Sequence, residues 1–278
     1  MSTKRIAAIG GGNMAEAIIR GSIRTARLEA SGWVVAEPRE ERRALFSSLG
    51  VDAVPTAADL TPHLDDESQI LLAVKPQMLP AVAADLAAVP LSRTVVSILA
   101  GSTTEGIRTA CTDAGNASAS GMRVVRVMPN TPCAIGEGMA ALACGDGTSE
   151  ADTTLAKGLF GALGEIIEID ESLMDAFTAV AGSGPAYVFH LAEAMTRGAE
   201  AAGFSAGEAA FIVRQTVAGA ARLLRDSEVS AADLRVAVTS PGGTTAAALQ
   251  ELDSSATGDA MVRAIIAARD RGRELAGS

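Results

Sequence analysis

Short apolar runs alternate with helix-periodic segments through the first part of the chain. Arg5–Ile9 and Gly32–Ala36 read as buried strands; the first is followed by GGGN and a helix to about Arg27, the second by a helix over Glu41–Leu49. Gln69–Val74 and Thr94–Ile98 are further apolar strands, with a helical segment near Met78–Leu86 between them. Arg123–Met128, Gly138–Ala143 and Glu165–Ile169 continue the series. Strands that are apolar throughout are covered on both faces, and strands alternating with helices predict a parallel, doubly wound sheet.

After about Asp170 the period changes. Leu173–Val180, Pro185–Ala202, Ser205–Leu224, Ala231–Val238, Thr245–Leu252 and Ala256–Glu274 all read as helices, punctuated by Gly182, Gly203 and Gly242. Ser205 and Ser230 are suited to cap two of them. The chain therefore divides into an α/β domain over residues 1–168 and an all-helical domain over 169–278. The run PAYVFHLAEAMTRGAEAAG carries apolar and small residues on more than one face. Such a helix is buried, inside its domain or against another chain. A small helical domain has little room for it, which favours a dimer interface.

Composition narrows the classes. The chain has 278 residues, 48% hydrophobic and 20% charged, as in an ordinary globular protein with ample core. Aromatic residues are only 3%, so Ala, Val, Leu and Ile must fill that core. A net charge of −10 argues against a nucleic-acid surface. The start MSTKRIAAIGGG carries no secretion signal, and no uncharged apolar run is long enough for a membrane span. Cys111, Cys133 and Cys144 are odd in number and lack CxxC spacing, which fits a reduced, cytoplasmic protein. His63 and His190 are the only histidines, so no metal site is expected. His190 reads as a core residue and His63 as a loop residue.

Chemistry concentrates in a few loops. IAAIGGGNMAEAI sets Gly10, Gly12 and Ala15 in a GxGxxA pattern directly after a strand and opening a helix. Gly10 permits the tight turn, Gly12 lets the backbone approach a pyrophosphate, and Ala15 lets helix and strand pack closely. The helix start supplies N–H groups and positive dipole to phosphates. This is the arrangement of a Rossmann dinucleotide domain. The second strand ends at Glu37-Pro38-Arg39, followed by Arg42 and Arg43. An acidic residue there binds the ribose of NAD, whereas an arginine accommodates the extra phosphate of NADP, so this segment leaves the preference open. Arg42 and Arg43 also fit a solvated helix start. LLAVKPQ ends a strand at Lys75-Pro76, placing Lys75 at the carboxyl edge of the sheet where ligands bind, and VVSILAGST ends the next strand in the same way. In SPGGTT, Ser240–Thr245, a proline, two glycines and three hydroxyl residues meet at one junction between helices. A plain turn needs fewer of them; a loop that wraps backbone N–H groups around an anion needs this many.

The stretches IGGGNMAEAI, AVKPQ, RVMPNTP, GSGPAYVF and SPGGTT occur in an order and spacing that resemble the pyrroline-5-carboxylate reductases along essentially the whole chain. The resemblance implies a Rossmann domain joined to a helical domain that interlocks two subunits, with rings of dimers in some members. It implies an active site in a cleft between nucleotide domain and helices, where NAD(P)H delivers hydride to the C=N carbon of pyrroline-5-carboxylate and gives L-proline. Carried over by motif, Ile9, Gly10, Gly11, Gly12, Asn13 and Met14, with Ala73, Val74, Lys75 and Pro76, would touch the cofactor, and Ala100 would lie beside the nicotinamide. Glu37 and Arg39 would face the ribose. Ser183, Ser240, Thr244, Thr245, Glu171 and, on weaker grounds, Glu228 match substrate-contacting positions. The resemblance favours NADPH, with NADH as the alternative.

A small ring with one carboxylate and one imine nitrogen suits the SPGGTT loop. Backbone N–H groups around Gly242, Gly243 and Thr244 fit the carboxylate, and the Thr245 hydroxyl fits the ring nitrogen, which makes it the candidate catalytic residue. MPNTP is expected to shape the cleft, with Asn130 as its polar contact to the cofactor, and Cys133 to be a packing residue. Reduction of an iminium leaves a neutral amine, so no strong acid is required. Two departures from the family pattern stand out: Glu37 replaces a small polar residue, and Ala237 offers no side-chain donor. The alternatives are a reductase of another small cyclic imine or oxo acid, and a nucleotide-sensing protein without turnover.

Overall fold

The computed structural model describes residues 6–276. Arg5, expected to open the first strand, and the polar start before it lie outside them. Eight strands form one sheet: β1 (Ile6–Ile9), β2 (Trp33–Ala36), β3 (Asp52–Val54), β4 (Gln69–Leu72), β5 (Thr94–Ser97), β6 (Arg123–Met128), β7 (Gly138–Cys144) and β8 (Gly164–Glu168). Their order is β3-β2-β1-β4-β5-β6-β7-β8. The first six strands run parallel, and the reversal of strand order between β1 and β4 marks the place where doubly wound sheets bind ligands.

The period of two along the strands sorts the core into two layers. Ala7, Ile9, Val34, Ala36, Ile70, Leu72, Val95 and Val124 face one side, where they pack against α3 (Leu79–Asp85) and α4 (Thr104–Asp113). Ile6, Ala8, Val35, Leu71, Val96, Val125 and Val127 face the other, against α1 (Asn13–Arg24), α2 (Glu40–Ser48) and α5 (Glu150–Gly161). Both faces are therefore dry, as continuous apolar strands require. The few aromatic residues go where volume is needed: Trp33, Phe46 and Phe160 are fully buried, and Trp33 Nε1 donates to Ser22 Oγ at 3.0 Å. On α5, Asp152 accepts from Thr94 Oγ1, from Arg123 Nε at 2.8 Å and from Ser149 N at 2.8 Å, which ties this helix to β5 and β6. Burial pushes its carboxyl up, but these bonds outweigh that and hold it well below the usual carboxylate range.

Two features differ from the sequence reading. The sheet is not parallel throughout, because β7 runs antiparallel to β6. Their connection holds only a 3-10 turn, Thr131–Ile135, too short to carry the chain back to the start of a parallel neighbour. β3 was not expected at all; it is three residues long and opens on Asp52. His63 ends a 3-10 turn, Ala58–His63, rather than lying in an irregular loop, and its Nδ1 stands 3.9 Å from Asp52 Oδ2.

By internal contacts the chain forms two compact units, residues 1–182 with 268–278, and residues 183–267. The first ends in the segment expected as a helix over Leu173–Val180. It is a 3-10 turn (Glu171–Leu173), then one α-turn, α6 (Met174–Phe177), then a π-helical turn (Thr178–Gly182). The second unit holds α7 (Gly184–Ala201), α8 (Ala206–Asp226), α9 (Ala231–Ala237), α10 (Thr244–Ser254) and the start of α11 (Thr257–Ala276). Ser205 caps α8 in a reciprocal box with Glu208, and Ser230 caps α9, as their positions predict. α7 packs along α8 through a turn in which Gly203 takes φ +109.

Among the described residues of this unit only Ala209 and Val213 are buried. Phe189 is 63% and Phe211 74% exposed. Within its own chain α7 buries none of its residues, so His190 is an exposed side chain, not the core residue its apolar neighbours suggest.

Candidate functional site

The ladder of the parallel sheet carries four loops to one edge. Gly10 N donates to Ala36 O at 2.9 Å, Ala73 N to Ile9 O at 2.9 Å, Glu37 N to Val54 O at 2.9 Å and Ile98 N to Leu72 O at 3.0 Å. These bonds extend the pairing past the ends of β1, β2, β4 and β5. They bring together Ile9–Met14, Glu37 and Arg39, Ala73–Pro76, and the turn containing Ala100. Lys75 and Asn13 are exposed there, whereas Gly12, Met14, Ala73, Val74, Pro76 and Ala100 are half-buried.

Each glycine in the first loop has its own reason. Gly10 sits at φ +97, and a Cβ there would lie 2.8 Å from both Ala73 O and Val74 Cγ1. A Cβ on Gly11 would lie 2.6 Å from Phe46. On Gly12 it would meet nothing within 4 Å. Gly12 is also the N-cap of α1, extended at φ −72 and ψ 179, with no side chain capping the helix. Backbone N–H groups thus open onto free space at a helix start, and a dinucleotide pyrophosphate fits there.

Glu37 is 4% exposed and fastened to this loop. Its Oε2 accepts from Gly11 N at 2.8 Å, and its Oε1 accepts from Arg39 N at 3.1 Å and Arg39 Nε at 2.8 Å. Burial pushes the carboxyl up, but these bonds outweigh it and hold the group below the usual carboxylate range. Arg42 is not a solvated helix-start residue. Its Nε donates to Gly11 O at 2.8 Å, it pairs with Glu16 at 2.9 Å, and its guanidinium lies over Phe46. Arg43 donates to Glu37 O at 2.9 Å and Pro38 O at 2.6 Å.

Two residues expected at the ligand are otherwise engaged. Glu171 Oε1 accepts from Thr104 N and its Oε2 from Thr104 Oγ1, both at 2.8 Å, and Arg126 stands at 3.4 Å. It therefore fastens the start of α4, and a substrate contact would have to displace those bonds. Asn130 is 9% exposed, donates through Nδ2 to Ala181 O at 3.1 Å and accepts from Met139 N at 3.0 Å. Its amide holds the MPNTP loop in shape and does not project as the polar contact expected of it. Cys133 is a buried packing residue. Thr104 and Arg126 were missed by sequence reasoning. The Thr103 cap, which accepts from Gly106 N, was the local signal for α4.

In the second unit the SPGGTT loop repeats the logic of the first glycine loop. Gly242 takes φ +68, Gly243 N donates to Ser240 O at 3.0 Å, and Gly243 is the N-cap of α10 at φ −82 and ψ 177, again without a side-chain cap. Thr244 and Thr245 are the first residues of that helix. Ser183 precedes α7 as its half-buried N-cap, and Glu228 is exposed in the turn between α8 and α9. Among the described residues no cluster of His, Cys, Asp or Glu could hold a metal ion.

Residues 171–275 match the family model for pyrroline-5-carboxylate reductase dimerisation, and residues 5–101 the model for NADP oxidoreductase, coenzyme F420-dependent. The pyrroline-5-carboxylate reductase of Haemophilus influenzae is 39% identical over 99% of this chain and 98% of its own. The chain belongs to the pyrroline-5-carboxylate reductase family. A reductase of the same name from Pisum sativum is 35% identical over 96% of this chain and 94% of its own. Among solved structures, the Coxiella burnetii pyrroline-5-carboxylate reductase superposes with a TM-score of 0.87 at 32% identity, covering 99% of both chains. The Plasmodium falciparum pyrroline carboxylate reductase, solved with NADP bound, gives 0.85 at 25% identity, again over 99% of both. As in those reductases, a Rossmann-type sheet here precedes a helical region, the order expected from the alternation of strands and helices.

Proposed function

We infer that this chain is an NAD(P)H-dependent pyrroline-5-carboxylate reductase, which transfers hydride to the C=N carbon of L-1-pyrroline-5-carboxylate and yields L-proline. The observation that carries the reading is the recurrence of one device in a single chain of this family. Two helices start from glycine caps with free N–H groups, one after a GxGxxA turn and one inside SPGGTT. One fits a pyrophosphate and the other a small carboxylate.

The bound dinucleotide supplies the hydride. Residues Ile9–Met14, with Ala73–Pro76, hold it at the sheet edge, and Ala100 lines the nicotinamide. Glu37 and Arg39 stand at the ribose, while Asn130 supports the neighbouring loop. The N–H groups of Gly242 and Thr244, with Ser240, take the substrate carboxylate, while Gly243 N stays bonded to Ser240 O and shapes the turn. Thr245 hydrogen-bonds the ring nitrogen and fixes which carbon accepts hydride. Ser183 and Glu228 complete the substrate contacts, and Glu171 contributes by anchoring Thr104. The imine nitrogen enters protonated; hydride addition to its carbon turns the C=N π pair into the nitrogen lone pair, and the product is a neutral amine. No side-chain acid is consumed, in keeping with the absence of a histidine from these motifs. Orientation supplies the catalysis.

Residues 1–168 act as the nucleotide domain and 169–278 as the dimerisation and substrate domain. The exposed apolar faces of α7 and α8 support a homodimer, since monomers rarely leave so much apolar surface in water. A ring of dimers is a further assembly open to it. Among the described residues no helix is long and apolar enough to cross a membrane, which supports a cytoplasmic location.

The test is loss of the reduced-nicotinamide absorbance when purified protein is mixed with pyrroline-5-carboxylate and NADH or NADPH. Turnover is the expected result. A folded, nucleotide-binding protein that turns over neither would overturn the reading. Activity confined to the six-membered cyclic imine would replace the substrate.

A further inference from the structure

NADH and NADPH differ at one position, the 2′ carbon of the adenosine ribose, which carries a hydroxyl in the first and a doubly charged phosphate in the second. In doubly wound sheets this position falls at the carboxyl end of the second strand, beside the first glycine loop. Here that place belongs to Glu37, one residue beyond β2, with its side chain 5% exposed. Its carboxylate does not swing freely. Gly11 N, Arg39 N and Arg39 Nε fix it at 2.8 to 3.1 Å, Arg39 Nη2 stands at 3.4 Å, and a Cβ on Gly11 would come within 3.1 Å of it. A carboxylate offers about four lone-pair sites. Arg39 takes two on Oε1; on Oε2 Gly11 N takes one at 2.8 Å and Arg39 Nη2 reaches the other only at 3.4 Å, so a hydroxyl donor has that single long contact to displace.

A 2′-phosphate would need cations with no other partner, and the three arginines nearby each have one. Arg39 forms its salt bridge with Glu37 itself at 2.8 Å. Arg42 is paired with Glu16, bonded to Gly11 O and stacked on Phe46; its remaining Nη2 has no partner but is enclosed by protein, out of reach of a ligand. Arg43 folds back onto the carbonyls of Glu37 and Pro38. Glu40 and Glu41 add two acidic residues in the first turn of α2. Four glutamates thus accompany three arginines around the turn, and although Glu37 and Arg42 each bond Gly11 at 2.8 Å, Arg42 has Glu16 as its ion-pair partner.

We propose that Glu37 makes this reductase select NADH over NADPH, its carboxylate accepting the ribose 2′-hydroxyl and repelling a 2′-phosphate. The proposal rests on the reading of the chain as an NAD(P)H-dependent reductase and decides between the two cofactors that reading admits. Discrimination of this kind combines one attractive contact with one repulsive element, both supplied by a single side chain.

The experiment is direct binding, without imine, by nicotinamide fluorescence and calorimetry. NADH and NADPH are each titrated into the wild-type protein, Glu37→Gln and Glu37→Ser. The wild type is expected to bind NADH at least about tenfold more tightly than NADPH, a difference of about 1.4 kcal/mol. Glu37→Gln keeps the shape and removes the charge, so it is expected to tighten NADPH and weaken NADH, narrowing the ratio to about threefold or less. Glu37→Ser is expected to go further and favour NADPH. Wild-type protein that binds NADPH as tightly as NADH, or more tightly, overturns the proposal even if neither variant folds. So does a ratio unchanged in a folded Glu37→Gln. Folded wild-type protein that binds neither nucleotide overturns this proposal together with the reductase reading; a preference for NADPH overturns this proposal alone.

Discussion

The two glycine loops of this chain share a backbone plan and differ in what surrounds it. Each has a glycine at positive φ, Gly10 at +97 and Gly242 at +68, followed two residues or one residue later by an extended glycine that caps a helix. Around the first, the sheet closes in: a side chain at Gly10 would strike Ala73 O and Val74, and one at Gly11 would strike Phe46. Around the second, a Cβ at Gly242 meets nothing within 4 Å, and one at Gly243 meets only Ser240 of its own turn. The first loop is therefore rigid because its neighbours in the sheet hold it. The second is held by the Gly243 N to Ser240 O bond and carries three hydroxyls, Ser240, Thr244 and Thr245. A cofactor common to many reductases suits a loop that reads only phosphate. A specific substrate needs side-chain donors as well.

The largest effect should come from Gly12→Val, which separates shape from stability. A Cβ there meets no protein atom within 4 Å, so the cost should be confined to the poorer helix cap, about 1 kcal/mol or 2–4 °C in melting temperature. It fills the space before α1, so nucleotide affinity should fall at least about a hundredfold, equivalent to about 2.7 kcal/mol. Calorimetric titration beside a melting curve reads both. Normal affinity would remove Gly12 from the cofactor site. Next in size is Thr245→Ala, expected to lower kcat/KM for the imine about 10- to 100-fold, as for loss of one hydrogen bond to a charged group, while nucleotide binding stays unchanged. Wild-type kinetics in that variant would leave Thr245 without a catalytic part.

Alanine at each positive-φ glycine would sharpen the contrast through stability. Both changes place a Cβ in the left-handed region at a cost of about 1–2 kcal/mol. Only Gly10→Ala adds a collision with the backbone of Ala73. It should therefore lower the melting temperature clearly more than Gly242→Ala, by several degrees at about 2–4 °C per kcal/mol. Equal losses would mean that the crowding around Gly10 relaxes freely.

Much of this contrast was legible in the sequence, and the reasons for the remainder are physical. Strands such as QILL and TVVS declare themselves because a strand buried on both faces must be apolar throughout. β3, three residues with Asp52 among them, carries no such mark. Nor does apolar patterning record direction, so the reversal at β7 was invisible until the short turn after β6 was seen. The GxGxxA and SPGGTT loops were readable because positive φ and close approach leave few residue types to choose from. Asn130 stands in an equally distinctive motif, and Glu171 at a position matched through the resemblance, yet their polar groups hold Ala181, Met139 and Thr104. Residue type announces that a polar group is needed without saying whether the protein or the ligand satisfies it. His190 shows the converse: an apolar helix need not be buried by its own chain.

The smallest effect belongs to a residue in neither loop and tests whether stability alone can mimic a site. Asp152 ties α5 to β5 and β6, with its carboxyl held below the usual range by Arg123, Thr94 and Ser149 against the opposing effect of burial. A carboxyl depressed on folding contributes stability that is fully present above its unfolded value, about 3.9, and is lost as pH falls toward the folded value. Asp152→Asn should therefore cost about 1–2 kcal/mol at neutral pH, since water can take up part of the half-exposed Arg123. The gap in melting temperature between wild type and variant should shrink below about pH 4, where the wild-type carboxylate itself begins to protonate. A gap that stayed constant down to low pH would show that Asp152 acts by packing rather than by charge. Nucleotide affinity and imine turnover should be unchanged at temperatures where the variant is folded. A loss of either would mean that the two loops depend on the stability of α5, and the contrast drawn between them would then have to include it.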